Sequence, residues 1–339
     1  MERVVTGFWY KPGPTALLLA PLAWLYQAIT AIRRAMYAGG LLSTQKVARP
    51  VVIVGNLTVG GTGKTPLVAW LAERLKERRL SVGILSRGYG RRSGDGPRVV
   101  EPDSSWTDVG DEPLLLRQRT GCVTVVSADR VAGARLLIER GVDVILADDG
   151  LQHLRLARDC ELIVVDGARG FGNGWLLPAG PLREPVTKAA DADLIIVNGA
   201  PVHPSLAEFT APGATSLVQM TLAPDNAVPM AGRSDTLPLE SFRGEKVHAV
   251  AGIGNPQRFF SDLRARGLDI VEHPFPDHHG FAAADVEFGD GSPVLMTEKD
   301  AVKCRGFAHA RLWYVPVTAR FSDAHASALL ERVVGSLGG

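Results

Sequence analysis

Short runs of β-branched and other apolar residues recur along the chain after Pro50, separated by stretches in which apolar residues return every three or four positions. The short runs predict strands buried on both faces of a sheet, and the periodic stretches predict amphipathic helices. The predicted strands are 51–55, 81–86, 123–128, 142–149, 161–166 and 193–198, and the predicted helices are 64–79, about 112–119 and 129–140. Strands that alternate with helices predict an α/β fold with a mostly parallel sheet and helices on both of its faces.

The pattern changes after residue 200, where Pro and Gly become frequent up to about 244 and one strand is predicted at 215–222. Such a composition is typical of a linker between domains. A second α/β series follows, with strands 247–254, 270–275, 293–300 and 312–317, a helix over 256–266 and a closing helix from about Asp323. We therefore predict an N-terminal helical segment (1–40), a first α/β domain (41–200) and a linker with a smaller second α/β lobe (201–339).

The N-terminal segment contains an apolar stretch at 15–32, accompanied by the aromatic residues Trp9, Tyr10, Trp24 and Tyr26. Its length lies at the lower limit for a membrane span. Three alternatives stay open: a helix in the membrane interface, a true span, or a core helix of a soluble protein. The aromatic rings favour the interface. A signal peptide is disfavoured, because no small-residue cleavage site follows the stretch and the basic pair Arg33-Arg34 lies after it instead of before it.

Composition excludes some classes of protein. The chain of 339 residues is 46% hydrophobic and 22% charged, which is typical of a globular protein with a sizeable core. Lys and Arg number 37 against 36 Asp and Glu, and we find no basic stripe with interleaved aromatics, so nucleic-acid binding is not expected. Cys122, Cys160 and Cys304 are far apart and form no C-x-x-C, which favours buried thiols in a reducing compartment.

The clearest candidate for chemistry is the stretch "NLTVGGTGKTP" at 56–66, between a predicted strand and a predicted helix. Glycines there let backbone N–H groups face phosphate oxygens, and the helix N-terminus adds partial positive charge. In the usual pattern G-x-x-x-x-G-K-[ST], Lys64 contacts the β- and γ-phosphates of ATP and Thr65 ligates Mg²⁺. The predicted nucleotide-binding residues are Thr58, Gly60, Gly61, Thr62, Gly63, Lys64 and Thr65.

This loop departs from the usual pattern, because Thr58 occupies the place of the first glycine. The tandem Gly60-Gly61 resembles the loop K-G-G-x-G-K-[ST] of the partition and Min-type ATPases. Their signature lysine falls on Val59 and is absent here. A dimerising ATPase switch is therefore the rival interpretation.

Two acidic motifs follow. "GDEP" at 110–113 holds Asp111 and Glu112, which are either acids at a helix N-terminus or a carboxylate pair near the transferred phosphate. "ADDGLQH" at 147–153 ends a predicted strand with two acids, which is typical either of a metal-holding Asp or of an acidic turn.

Three further motifs stay open between a structural and a functional role. "SRGYGRR" at 86–92 is either a solvated basic loop or a clamp for anionic ligands, and "PAGPLREP" at 178–185 contains Arg183-Glu184. "HPFPDHHGF" at 273–281 has poor spacing for zinc. A catalytic or positioning histidine, or a plain surface turn, suits that stretch better.

Taken together and in this order, the motifs resemble the tetraacyldisaccharide 4'-kinase (lipid A 4'-kinase) family of Gram-negative bacteria. The resemblance rests on "GNLTVGGTGKTP", "SRGYGRR", "VGDEP", "DDGLQH", "PAGPLREP", "AGIGNPQRFF", "FPDHHGF" and "MTEKDAVK", which span 55–303. It implies a P-loop NTPase-like fold that uses ATP and Mg²⁺ to phosphorylate the 4'-hydroxyl of an acylated glucosamine disaccharide 1-phosphate, giving lipid IV-A. It also implies a membrane-associated N-terminal helix, the cytoplasmic face of the inner membrane, no nucleic acid and no obligate protein partner.

The resemblance also supports roles for individual residues. A sugar hydroxyl must lose its proton during transfer, and Asp111 is the candidate base, with His278 from the second half of the chain reaching it across a cleft. Lys64 completes the catalytic set. The predicted metal ligands are Thr65, Asp149 and Glu112. The predicted substrate residues are Arg87, Tyr89, Asp148, Gln152, His153, Arg183 and Glu184, and Arg91 and Arg92 are expected to meet an anionic head group.

Overall fold

The computed structural model describes residues 7–10, 13–91, 94, 96–209, 217–232 and 235–338. Its helices are α1 Pro14–Ala38, α2 Lys64–Glu77, α3 Trp106–Val109, α4 Asp111–Thr120, α5 Arg130–Glu139, α6 Pro256–Ala265, α7 Glu298–Cys304 and α8 Asp323–Gly335. Its strands are β1 Val51–Gly55, β2 Val82–Ser86, β3 Arg98–Val100, β4 Val123–Val126, β5 Val144–Asp148, β6 Cys160–Asp166, β7 Leu194–Asn198, β8 Leu217–Pro224, β9 Val228–Pro229, β10 Lys246–Ala251, β11 Asp269–Pro274, β12 Val294–Thr297, β13 Leu312–Val315 and β14 Val317–Arg320.

The larger sheet has, in the described ranges, the strand order β14-β8-β7-β6-β1-β5-β2-β4-β3. Strands β8 to β4 in this order are parallel, and β14 and β3 join the two edges antiparallel. Helix α2 packs on one face through Leu67, Leu71 and Leu75, and α5 packs on the other through Leu137. The predicted α/β fold, a mostly parallel sheet covered on both faces, is confirmed.

The sheet also indicates where a ligand would bind. Strand β1 lies between β5 and β6, and the chain continues outward from it in both directions. In open parallel sheets of this kind, ligands bind beyond the carboxyl ends of the strands at the point where the strand order reverses. The segments that follow β1 and β5 begin at Asn56 and Asp149, so the candidate motifs of both lie at this point.

The second lobe contains the smaller sheet, whose order in the described residues is β11-β10-β12-β13-β9. Its first four strands are parallel and β9 is antiparallel to β13. Phe260 and Leu263 of α6 are fully buried against this sheet. This lobe carries the histidine-rich motif in the segment that follows β11.

Two predicted strands are wrong in their extent. The strand predicted at 293–300 ends at Thr297, whose hydroxyl accepts a hydrogen bond from the Asp300 amide and so caps α7. The strand predicted at 312–317 is two strands, because Pro316 has no amide proton to continue the ladder. Strand β13 belongs to the smaller sheet and β14 to the larger one.

The predicted boundary at residue 200 does not separate the two sheets. Strand β8 follows it and pairs with β7, and β14 and α8 return to the larger sheet after the second lobe is complete. The chain therefore crosses between the lobes twice, near Asp225 and at Pro316. Residues 215 and 216 of the predicted strand lie outside the described residues, and the strand observed is Leu217–Pro224.

Helix α1 has an inverted distribution of large and small side chains. Ala20 and Ala23 are 4% and 1% exposed, whereas Leu17 and Leu18 are 68% and 81% exposed. Among the described helices, α1 is long and apolar enough to cross a membrane. Only 17% of its most apolar stretch is buried in the protein. A helix in a soluble core would bury its leucines, so the exposed leucines favour the two membrane alternatives. The Tyr26 hydroxyl donates a hydrogen bond to the Arg183 carbonyl at 3.1 Å.

Candidate active site

The phosphate loop leaves β1 and enters α2 through Gly63, whose φ is +100°. A side chain there would be strained, and its Cβ would lie 2.9 Å from the Cε of Met220 and 3.0 Å from the Nδ2 of Asn198. Only glycine therefore fits this position. The backbone of α2 begins at Lys64, so its first N–H groups point out of the loop toward the space above the sheet.

Thr58 has a structural explanation. It forms an antiparallel bridge with Leu182, and the Val59 amide donates to the Pro181 carbonyl at 2.8 Å. The threonine is thus in an extended, buried segment braced by the "PAGPLREP" motif, where the conformational freedom of glycine is not needed. The Arg183 amide adds a hydrogen bond to the Leu57 carbonyl at 2.7 Å.

Asn56 holds the loop from within. Its Nδ2 donates to the carbonyls of Thr58 at 2.6 Å and Gly60 at 3.2 Å, and its Oδ1 accepts from the Lys64 ammonium at 3.1 Å. The side chain is fully buried. Asn198, at the end of β7, donates to the Thr62 carbonyl at 3.0 Å. These two amides fix the loop before any ligand arrives.

Asp149 faces two cations. Its carboxylate lies 3.5 Å from the Lys64 Nζ and 3.0 Å from the nearer Arg183 nitrogen. Burial acts to raise the pKa of Asp149, but Lys64 and Arg183 outweigh it and hold the pKa below its usual value. Asp149 also has a φ of +51°, which is uncommon outside glycine and is frequent at functional sites.

Asp148 is in the opposite situation. It is 1% exposed, and its Oδ1 has no hydrogen-bond partner among the described residues. Burial, and then the charge of Glu112, raise the pKa of Asp148 to about 7. A buried carboxylate without a partner, within electrostatic reach of Glu112 and Asp149, is a place where a cation would be stabilised.

The structure brings Asp111 and His278 together across the two lobes. The His278 Nδ1 lies 2.9 Å from the Asp111 Oδ2, although the two residues are 167 positions apart. Burial acts to raise the pKa of Asp111, but His278, Lys299 and Lys303 outweigh it and lower it. The hydrogen bond to Asp111 raises the pKa of His278. The predicted contact across the cleft is therefore present, and its catalytic role is taken up below.

Glu112 is tied to the second lobe as well. The Lys299 Nζ lies 3.0 Å from the Glu112 Oε1 and 3.3 Å from the Asp277 Oδ1. The Glu112 amide donates to the Asp111 Oδ1 at 2.9 Å, so the two acids of "GDEP" are fixed relative to each other.

Gln152 and Glu184 interact directly, through a 3.1 Å hydrogen bond from the Gln152 Nε2 to the Glu184 Oε1. Burial raises the pKa of Glu184 above its usual value. Burial, and then the charges of Arg130 and Arg87, lower the pKa of His153 to about 4, so this imidazole is neutral at physiological pH. These residues lie around the strand ends described above.

The residues of "SRGYGRR" have different surroundings: some lie near the candidate active site, and Arg91 bonds to backbone carbonyls of the first lobe. The Tyr89 ring lies 5.4 Å from the His278 ring, and Arg87 is exposed. Arg91, by contrast, directs its guanidinium toward β4 and donates to the Val126 carbonyl at 3.4 Å, so the expected contact with a head group would require this bond to break. Arg92 lies outside the described residues.

Sequence reasoning missed several polar residues of the site. Asn56, Asn198, Arg130 and Lys299 contact the loop or the acids, but none was singled out as a site residue. Asn56 directly precedes the phosphate loop, and Lys299 stands within "MTEKDAVK". Both therefore carried a local signal, whereas Asn198 and Arg130 carried none.

A phosphate loop above a parallel sheet, with paired acids at the neighbouring strand end and a His–Asp contact from a second lobe, defines a P-loop phosphotransferase. The comparisons with known proteins specify the family. The model of the tetraacyldisaccharide-1-P 4'-kinase (LpxK) family matches residues 15–334. The chain belongs to this family.

Similar proteins agree along nearly the whole chain. The tetraacyldisaccharide 4'-kinase of Xanthomonas campestris pv. campestris is 48% identical over 339 residues, covering 96% of this chain and 95% of the relative. The tetraacyldisaccharide 4'-kinase of Alkalilimnicola ehrlichii is 50% identical over 318 residues, covering 93% of this chain and 92% of the relative. The solved structure of LpxK from Aquifex aeolicus in complex with ATP superposes with a TM-score of 0.81 at 29% identity, covering 95% of this chain and 99% of that chain.

Proposed function

We propose that this chain transfers the γ-phosphoryl group of ATP to the 4'-hydroxyl of a tetraacylated glucosamine disaccharide 1-phosphate, giving lipid IV-A. Family membership supports the reaction, and one observation supports its mechanism. The Asp111 carboxylate, held by His278 at 2.9 Å, comes from the same acid pair whose Glu112 acts electrostatically on Asp148 beside the phosphate loop. An acceptor hydroxyl bound at Asp111 would therefore lie near the transferred phosphate.

The loop residues bind and orient the triphosphate. Lys64 is held by Asn56 and Asp149 and would exchange these partners for the β- and γ-phosphates. The backbone from Gly60 to Thr65 supplies N–H donors at the start of α2. Thr62 is buried with its hydroxyl unpaired among the described residues, which makes it a further donor toward the nucleotide.

The carboxylates around the loop fit Mg²⁺. The described residues contain no group of three or more His, Cys, Asp or Glu set as a metal cage. Mg²⁺ in phosphotransferases uses one or two carboxylates together with water and substrate phosphates, so no such cage is required. Thr65, Asp149 and Glu112 would hold it, and the unpaired Oδ1 of Asp148 would offer a further oxygen ligand, in addition to the substrate contact expected from the sequence. Bound Mg²⁺ supplies neutralisation of charge on the phosphate oxygens.

Asp111 accepts the proton of the acceptor hydroxyl. Its lowered pKa keeps the carboxylate charged at neutral pH, and a loose phosphoryl-transfer transition state needs little basicity. His278 orients the Oδ2 through its Nδ1–H. Because His278 belongs to the second lobe, the base is complete when the lobes are closed.

The acylated acceptor is met from the side of α1. The exposed leucines of α1 would enter the lipid. Tyr26 of α1 and Trp9, which precedes the helix, donate hydrogen bonds to the "PAGPLREP" segment, which also carries Arg183. Arg87 and Tyr89 stand at the rim and would contact the sugar and its phosphate, and Gln152, His153 and Glu184 would complete this wall. The enzyme would thus work at the cytoplasmic face of the inner membrane, without nucleic acid or an obligate protein partner.

This chain lacks the signature lysine of the rival switch ATPases. Val59 occupies that position, and its amide is engaged with Pro181. A switch would need a cation there for the partner subunit, and the kinase requires none.

The function is tested with purified protein, labelled ATP, Mg²⁺ and tetraacyldisaccharide 1-phosphate in detergent micelles. We expect label in the lipid fraction, lost by roughly 10²-fold or more in Lys64→Ala and retained in Lys46→Ala, whose charge is exposed. Circular dichroism verifies that both variants are folded. Label that moves only to water in the wild-type protein would refute the kinase and favour the switch.

A further inference from the structure

Lys299 lies where the two lobes bring their acids together. It is the second residue of α7, in the second lobe, and its side chain is 18% exposed. Its ammonium lies 3.0 Å from Glu112, 3.3 Å from Asp277 and 4.0 Å from Asp111. One cation thus serves three carboxylates, two from the first lobe and one from the second.

The charge balance depends on this cation. The Lys299 ammonium supplies the positive charge that lies between these three carboxylates. If the charge of Lys299 were removed, Asp277 would face Glu112 and Asp111 as a like charge across the lobe boundary. The contact between the lobes would then be repulsive at the point where His278 must approach Asp111.

The charge balance around Lys299 matters because His278 stands next to Asp277 in the chain. His278 directly follows Asp277 and has a φ of +59°, a strained backbone conformation for a residue with a side chain. Strain of this kind persists only where surrounding contacts hold it. Asp277 contacts Lys299 and His278 contacts Asp111 across the lobe boundary, whereas the adjacent His279 pairs with Asp285 of its own lobe.

Lys303, one helical turn later, does not duplicate this role. Its ammonium lies 2.8 Å from Asp300, and both side chains are fully buried. Asp300 in turn accepts hydrogen bonds from the Gly252 amide and the Thr297 hydroxyl. That pair belongs to the core of the second lobe. Lys303 also lies 4.0 Å from Asp111, as Lys299 does, but the described lysine contacts of Glu112 and Asp277 are with Lys299.

We propose that Lys299 is a positioning residue for phosphoryl transfer: it neutralises Asp111, Glu112 and Asp277 together and so holds the turn that carries His278 against the base. The proposal rests on the proposed kinase function. In this role Lys299 would act through the carboxylates it contacts and not on the nucleotide or the acceptor. Its loss should therefore lower kcat and leave the KM for ATP almost unchanged.

The test compares variants that change charge with little change in size. Lys299→Met should lower kcat by about 10²-fold, the scale of a small misplacement of a catalytic group, with the KM for ATP changed by less than about threefold. Lys299→Arg retains the charge and should recover most of the loss. Lys246→Met is the matched control, since it removes one Lys–Asp pair from the same lobe far from the acids and should have normal kcat.

Charge compensation separates positioning from packing. Asp277→Asn alone should have a small effect, and in the Lys299→Met background it should restore at least about fivefold in kcat, because it removes the uncompensated carboxylate. Hydrogen–deuterium exchange over 275–281 should be faster in Lys299→Met than in Lys246→Met, without any acceptor present. Normal kcat in Lys299→Met, or a loss that neither Arg nor Asp277→Asn restores in folded protein, overturns the proposal. Wild-type protein that labels no lipid refutes the function instead, and the exchange measurement is independent of that result.

Discussion

At Asp111 the two oxygens of one carboxylate have different partners. Oδ1 accepts the Glu112 amide at the start of α4, and Oδ2 accepts from His278 of the opposite lobe. The first contact is local and persists whenever the helix is formed. The second joins the two lobes, so the position of the residue that would accept the proton depends on how the lobes pack.

If Asp111 and His278 act as one unit, their substitutions should not multiply. Asp111→Ala and His278→Ala should each lower kcat strongly with little change in the KM for ATP, and the double variant should be little worse than the poorer single one. Steady-state kinetics of the four proteins measure this. Strictly multiplicative losses would show independent roles, and normal kcat in His278→Ala would remove this residue from the site.

The cysteines give a second test at this scale. Cys122, Cys160 and Cys304 are buried and free, and burial raises the pKa of Cys160 and of Cys304 to about 12. A thiol with a raised pKa stays protonated and is a poor nucleophile. We expect no reaction with a disulfide reagent at pH 8 in the folded protein and reaction of all three thiols in denaturant. Rapid labelling of native protein would contradict the buried positions.

The element that departs most from an ordinary helix is α1. Its small residues contact the protein and its large apolar residues face outward, which reverses the arrangement of a helix in a soluble core. A face of alanines permits a close approach to the segment that carries Trp175 and Arg183. The exposed leucines and the attachment to the active-site segment therefore lie on opposite faces of one helix.

Substitutions on the two faces of α1 should affect different properties, protein stability on the buried face and vesicle binding on the exposed face. Ala23→Leu overpacks the buried face and should lower the free energy of unfolding by about 1–3 kcal/mol. Leu18→Ser lies on the exposed face and should change stability by less than about 0.5 kcal/mol while weakening binding to vesicles. Thermal unfolding in detergent and vesicle flotation measure the two quantities. Equal vesicle binding of Leu18→Ser and wild type would show that the anchor lies elsewhere.

The sequence predicted elements well where their signal is local. Strand β1 and helices α2 and α5 were predicted correctly, because the spacing of apolar residues is a property of neighbouring positions. The division at Pro316 was missed, since which sheet a strand joins depends on distant partners. The same distinction holds in the site. The phosphate loop is contiguous and could be predicted, whereas the inward turn of Arg91 and the cluster around Lys299 arise from tertiary packing.

At the scale of the whole molecule, the lobes are joined by the two crossings and by a polar bridge. Arg119 of α4 donates to the Glu298 Oε2 of α7 at 3.0 Å, to the Val317 carbonyl at 2.8 Å and to the Thr318 hydroxyl at 2.7 Å. The side chains of Arg119 and Glu298 are 14% and 17% exposed. This bridge joins α4 and α7 to the start of β14, directly beside the crossing at Pro316.

Removal of this bridge should weaken the connection between the lobes. Arg119→Ala leaves Glu298 nearly buried without its cation and should lower the free energy of unfolding by about 3 kcal/mol. Arg74→Ala is the control, because its pair with Glu77 is exposed and should contribute less than about 1 kcal/mol. Denaturant unfolding followed by fluorescence measures both. Equal effects of the two substitutions would show that the bridge contributes no stability between the lobes.

The double crossing of the chain has a consequence for how the protein is made. Strand β14 and helix α8 complete the larger lobe, and Phe321 packs on Trp70 of α2 with ring centroids 4.5 Å apart. Yet these residues leave the ribosome after the entire second lobe, whereas α1 leaves first. During synthesis, at about 5–20 residues per second, the nascent chain exposes the open edge of β8 and the apolar side of α2 for several seconds. Over that interval the unfinished chain exposes an unpaired strand edge and apolar surface, which make partly folded chains prone to aggregation.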